Sequence, residues 1–366
     1  MSRSPALRIY AGPAALARIR RHGLSPGQVR VIPAAAGGPK GLILGPLDRF
    51  IFGEWLAQTR QPVDLVGASI GAWRMATACL DAPVQAFERL ERDYIAQRFD
   101  PPPGARRMPA AQVSERFAGS LQRFYGGRVP EVLGHSRYRL HVVAARGRGL
   151  LARESRWRTP LGYLGAFASN AMHRSALGAW LERVVFSSPG PDGPAPIPFG
   201  TGDLRTRHVA LNEANFMQAL RASCSIPFAL QAVHDIAGAP RGAYWDGGIT
   251  DYHMHLAYAD QGRLGDDGIV LYPHFQRAVI PGWLDKGLRW RHRPTPALDA
   301  MVVLAPDPQW VAGLPRGKLP DRHDFMDYDH ETRARAWNAA TSASQQLADE
   351  FAQWLRQPDP ARLHAL

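Results

Sequence analysis

The chain has 366 residues, 45% hydrophobic and 9% aromatic, with 44 Lys+Arg against 32 Asp+Glu for a formal charge of +12. That length and composition build a sizeable core and exclude a disordered chain, and no run approaches the ~18–20 apolar residues of a spanning helix. Cys79 and Cys224 are too few for a disulfide scaffold or a cysteine zinc site, and the N-terminal MSRSPALRIYAG has no apolar signal core, so a cytoplasmic location is expected. The charge is uneven. Residues 1–50 and 101–150 each sum to +7, and the other 266 residues sum to −2. Only Lys40, Lys286 and Lys318 are lysines.

In chain order, residues 28–34 read as a strand that enters a Gly-rich turn, Gly37-Gly38-Pro39-Lys40-Gly41, followed by helical spacing over 42–56. A second strand over 63–66 enters Gly67-Ala68-Ser69-Ile70-Gly71 and an apolar helix over 72–80. Two strand–turn–helix units in succession predict a parallel α/β sheet. An amphipathic helix is expected over 84–99, stopped by the prolines at 101–103. Strands follow at 138–143, 184–186, 208–211, 268–272 and 300–304. Helix is expected within 161–183 and over 214–222, a loop over 188–202, and a last helix over about 332–355. No linker or repeat stands out, which predicts one domain over 1–366 with a basic excursion near 100–160.

The chemistry concentrates in G-x-S-x-G. A serine in a sharp strand-to-helix turn exposes its hydroxyl, Gly67 and Gly71 leave room for the turn, and the helix N-terminus supplies a positive dipole end. A serine nucleophile needs a base and an oxyanion hole. The turn at 36–41 can offer bare N–H groups from Gly37 and Gly38; neither G-x-x-x-x-G-K-[ST] nor G-x-G-x-x-G is present, and a plain tight connection is the bland alternative. No histidine after Ser69 has a distinctive context. Asp246, at the end of Ala243-Tyr244-Trp245 and before Gly247-Gly248, is the alternative base, or a simple turn cap.

Four segments together resemble the patatin-like phospholipases, lipid acyl hydrolases with a Ser–Asp dyad. Ala36-Gly37-Gly38-Pro39-Lys40-Gly41 is similar to the family's G-G-G-x-[KR]-G loop, and Ser69 follows it closely in G-x-S-x-G. Ala222-Ser223-Cys224-Ser225-Ile226-Pro227 is similar to A-S-x-A-x-P, and Asp246-Gly247-Gly248 to D-G-[GA]. The resemblance covers about 29–250 and implies a three-layer α/β/α fold with a mostly parallel central sheet. It implies Ser69 as nucleophile, Asp246 as base, Gly37 and Gly38 as oxyanion donors, Lys40 and Gly41 in the substrate loop, and no metal or cofactor. Two positions depart from the pattern: Ala36 replaces the first loop glycine and Ser225 replaces an alanine.

The expected activity is hydrolysis of lipid carboxylic esters through an acyl-enzyme. A free carboxylate of pKa ~3.9 is a poor base for a hydroxyl, so burial beside Tyr244 and Trp245 is expected to raise it. The alternative is a lipid-surface binding protein that keeps the fold without catalysis, which Ala36 favours. No recognition motif accompanies the charge, so nucleic acid is not expected as a partner. The basic blocks instead suggest peripheral contact with anionic membrane through Arg106, Arg107, Arg146 and Arg148. Leu161 to Ala168, apolar and glycine-broken, is core or a lid or membrane-facing surface. His253 and His255 read as satisfied surface or core histidines, with lining the site as the alternative, and the run from His323 to His330 reads as a solvated loop without metal-ligand spacing. Oligomeric state is left open.

Overall fold

The structure is a computed structural model that describes residues 5–99, 102, 108–262 and 264–366. Its strands in the main sheet are β1 (Leu7–Ala11), β2 (Val29–Ala34), β3 (Val63–Ala68), β4 (Tyr138–Gly147), β5 (Leu181–Ser187), β6 (Thr206–Ala210), β7 (Val233–His234), β8 (Ala243–Asp246), β9 (Ile269–Pro273), β10 (Met301–Pro306) and β11 (Leu363–Ala365). The order is β11-β1-β10-β9-β2-β3-β4-β8-β7, with β5 on β4 and β6 on β5. β10, β9, β2, β3 and β4 form a parallel centre, flanked by helices, and the antiparallel pairs are β1–β10, β4–β5, β4–β8 and β7–β8. This is a mixed α/β architecture with a mostly parallel central sheet.

Burial explains the sequence pattern. Every residue of β3, β9 and β10 is buried, as expected for parallel strands covered on both faces, and this is why they read as unbroken apolar runs. The basic stretch near 100–160 is no excursion in its second half: it contributes β4, the longest strand, at the centre of the sheet. Its first half includes Arg106 and Arg107, which lie outside the described residues.

Three expectations change. The helical stretch over 42–56 is a 3-10 segment (Gly38–Leu44), one α-turn region (Gly45–Phe50) and a π turn (Ile51–Trp55), because Pro46 lacks the N–H that a continuous ladder requires. The final helix is two, His330–Ala343 and Gln345–Arg356, broken where the Ser344 hydroxyl donates to the Thr341 carbonyl at 2.6 Å. The helix expected over 84–99 spans Pro83–Ile95, with proline in its first turn and Ala86, Phe87 and Leu90 on its buried face. Sequence periodicity also passed over β1 and the helices Pro13–His22 and Ala110–Tyr125. Among the described residues no helix is long and apolar enough to cross a membrane.

Candidate active site

β3 and β8 share one edge of β4. β3 runs parallel along Tyr138–Val143 and ends with Ala68 opposite Val143. β8 runs antiparallel along Ala144–Arg146 and ends with Asp246 opposite Ala144. Both strands therefore terminate at adjoining positions of the same partner, 177 positions apart in sequence for residues 69 and 246. Ser69, the next residue after β3, comes close enough to the Asp246 carboxyl for its hydroxyl to favour the ionised form.

The turn that delivers Ser69 is tight and strained. Ser69 has φ 57° and ψ −129°, left-handed backbone that a non-glycine residue adopts at a cost of order 1–3 kcal/mol. It precedes the helix Ile70–Ala78, all nine residues of which are buried. A Cβ at Gly67 would stand 2.5 Å from the Ala72 nitrogen, and one at Gly71 would stand 2.1 Å from the Ala34 carbonyl oxygen. The two glycines thus permit the helix to enter against β2 and β3. Behind it, Arg74 donates from Nε and Nη2 to both oxygens of buried Asp48 at 2.7 Å, fixing this helix to Gly45–Phe50.

The 36–41 turn lies beside this elbow. The Ala36 N–H donates to the Tyr252 carbonyl at 2.9 Å, and its methyl faces Gly248. Gly38 has φ 57°, and among the described residues the N–H groups of Gly37 and Gly38 donate to no carbonyl outside the following helical turn. Gly41 approaches the elbow helix so closely that a Cβ there would meet Ile70 Cγ1 at 3.3 Å. Lys40 Nζ sits 4.0 Å from an Asp321 oxygen and 5.5 Å over the Phe275 ring. A small depression adjoins the turn, its wall shared by Leu42, Ile70, Phe87, Leu90 and Tyr94 and by the charged Asp48, Arg74 and Glu91.

Asp246 is 6% exposed, and its burial pushes the carboxyl up from 3.8 to about 6. The Ser69 hydroxyl, the Gly248 N–H at 2.7 Å and the charges of Lys286 and Arg322 oppose that rise by stabilising the ionised form. Lys286 in turn is lowered to about 8, by desolvation and then by Lys40 and Arg322; its Nζ lies 4.1 Å over the Tyr252 ring. Burial also raises the Cys224 thiol well above its ordinary value, next to the Ser69 hydroxyl, so it is a neutral neighbour rather than a thiolate. The Tyr163 hydroxyl is buried without a hydrogen-bond partner among the described residues, and the Asp246 charge helps hold it protonated.

The structure brings Ser69, Asp246, Gly67, Gly71 and the 37–41 turn together. It also gathers groups to which sequence reasoning gave no role: Lys286, Arg322, Tyr163, Phe275 and Ser223. The rarity of lysine was the one available signal, since two of the three lysines are at this site. Other expectations resolve elsewhere. His255 is satisfied by the Val279 carbonyl and Thr295, whereas His253 has a buried Nε2 with no partner among the described residues. Asp324 accepts from Lys318 and Trp337. Arg146 and Arg148 are not free for a lipid surface: Arg146 binds Glu182 at 2.5 Å and the Arg241 carbonyl at 2.9 Å, and Arg148 binds the Gly178 carbonyl.

A family model described as Patatin-like phospholipase matches residues 36–253. That span begins at the Gly-rich turn and ends just beyond Asp246. No curated protein and no solved structure matches the chain.

Proposed function

Because the chain belongs to the patatin-like phospholipase family, which implies lipid acyl hydrolase activity, we propose that it cleaves lipid carboxylic esters with Ser69 as nucleophile and Asp246 as its base. The observation that carries this reading is a serine held at positive φ beside a buried carboxyl that burial raises to about 6 and that the serine hydroxyl opposes. Such a carboxylate is ionised at neutral pH yet more basic than a free one, which suits proton transfer.

In this mechanism the Ser69 oxygen attacks the ester carbonyl as Asp246 takes its proton. The carbonyl oxygen becomes an oxyanion and accepts from the N–H groups of Gly37 and Gly38. The C–O bond to the leaving alcohol then breaks, and Asp246 returns the proton to that alcohol. Water attacks the acyl-enzyme with Asp246 again as base, releasing the acid and restoring Ser69. The scheme asks for no cofactor. The whole chain acts as one domain, located in the cytoplasm with peripheral access to membrane.

A lipid-binding protein without catalysis was favoured by Ala36. That support weakens, because the Ala36 N–H is already committed to Tyr252, while in this proposal the hole is formed by the two glycines that follow. A fluorophosphonate probe tests the proposal directly. Labelling of the native chain but not of Ser69→Ala, with release of fatty acid from phospholipid, is expected; a native chain that neither labels nor releases acid overturns it.

A further inference from the structure

The helix Arg158–Met172 is apolar on both sides. Inward it buries Thr159, Gly162, Tyr163, Ala166 and Asn170. Outward, Trp157, Leu161, Leu164 and Met172 recur at helical spacing and are exposed by 76, 59, 65 and 80%. From 159 to 172 the sequence has no charged residue. A helix apolar all round is normally covered, and contiguous exposure on this scale marks a binding surface.

The surroundings specify what covers it. Arg153, Arg156 and Arg158 are exposed at the start of the helix. Beside its end runs Lys286-Gly287-Leu288-Arg289-Trp290-Arg291-His292-Arg293, four cations with no acid, in which Trp290 is 63% exposed. Arg289 and Arg293 are exposed and make no ion pair among the described residues. The one acid in residues 148–174, Glu154, accepts from the Ala232 N–H.

The two segments are locked together. Fully buried Asp285 accepts from Asn170 Nδ2 at 2.8 Å, Arg174 Nη1 at 3.1 Å and Arg291 Nη1 at 2.8 Å. The platform also abuts the active site: the Tyr163 ring packs edge-on against Trp245, next to Asp246, at 6.0 Å, and against exposed Phe228 at 5.9 Å.

We propose that the outer face of Arg158–Met172, together with the 286–293 segment, docks the protein on an anionic bilayer. Aliphatic and tryptophan side chains enter the interface while the arginines around them meet lipid phosphates, a division of labour that a protein partner or a second copy would not need. The location matters to catalysis only through the hydrolase reading above, on which the lipid occupant rests; the docking itself is read by binding.

Co-sedimentation with phosphatidylcholine vesicles, with and without phosphatidylglycerol, tests this. The native chain is expected to bind the anionic vesicles preferentially. Trp157→Ser/Leu161→Ser/Leu164→Ser and, separately, Arg289→Glu/Arg293→Glu are expected to weaken binding by about tenfold or more, with unchanged melting and unchanged hydrolysis of a soluble short-chain ester. Ser69→Ala is expected to bind as the native chain does, so a failed hydrolase reading and a failed docking surface give different results. Undiminished vesicle binding by both surface variants overturns the proposal. So does a native chain that ignores anionic vesicles, including one that is a dimer in sedimentation equilibrium and becomes monomeric in the triple-serine variant.

Discussion

The Ser223 hydroxyl accepts the Ser69 N–H at 2.9 Å and donates to the Val143 carbonyl at 2.6 Å. It therefore pins the strained elbow to the β4 position at which β3 and β8 converge. Ser223→Ala leaves a buried donor and a buried acceptor unpaired, a loss of about 1–3 kcal/mol in stability. Its activity should fall mainly in kcat, because the Ser69 backbone loses its tether while no other residue of the turn is altered. Denaturant melts and a KM-against-kcat comparison on a soluble ester check this; an unchanged kcat would assign Ser223 to folding alone.

Asp246 couples activity and stability in opposite directions. In its proposed role as base it must be ionised, so kcat/KM should rise with pH along a limb near pH 6. For stability, its folded value lies above the unfolded 3.8, so the folded state binds the proton more tightly. The associated stabilisation is full below about pH 3.8 and disappears as pH rises through about 6, a difference of about 3 kcal/mol. Asp246→Asn should thus lose on the order of 10²–10⁴-fold in hydrolysis yet melt at a higher temperature than the native chain at pH 8, with the gap closing toward pH 4. A variant less stable at pH 8 would contradict this assignment of the buried charge.

The legible parts of this molecule were local ones. The Ser69 elbow was readable because strand, turn and helix are contiguous, and β3, β9 and β10 because double-sided burial leaves unbroken apolar runs. The apposition of Ser69 and Asp246 was readable only as a resemblance, since it depends on β3 and β8 meeting on β4, a pairing no local pattern encodes. The same holds for Ser223, whose hydroxyl acts across 154 positions, and for Lys286 and Arg322, which arrive from beyond residue 253. Charge counting in blocks pointed to Arg146 and Arg148, which fold onto internal partners. It passed over 286–293 because acids elsewhere in the chain cancel that segment in the total.

Lys286 and Arg322 hold the Asp246 carboxyl below the value that burial alone would set. Removing either cation removes that opposition, so Lys286→Met and Arg322→Ala should each move the acidic limb of kcat/KM to higher pH. The double variant should move it further, and added salt should move the native limb the same way. A pH profile on an uncharged soluble ester reads the shift without interference from substrate charge. A limb that stays in place in both single variants would remove these cations from the electrostatics of the base.

Ala36 and Gly248 set the spacing between the Gly37–Gly41 turn and Asp246. A Cβ at Gly248 would lie 2.6 Å from the Ala36 Cβ and 2.9 Å from Asp246 Oδ1, so Gly248→Ala must displace either the turn or the carboxylate. The ~1 Å movement needed to relieve such a contact is of the size that costs about 10²-fold in rate when reacting groups are misplaced. Ala36→Gly, by contrast, keeps the N–H donated to Tyr252 and removes only a methyl, so its hydrolysis should stay within about threefold of the native rate. In the double variant the methyl clash is gone but the approach to Asp246 Oδ1 persists, so rescue should be partial. Full rescue would place the whole effect in the turn, and no rescue would place it in the carboxylate. Fluorophosphonate labelling rates of the four proteins measure this without any assumption about the natural lipid.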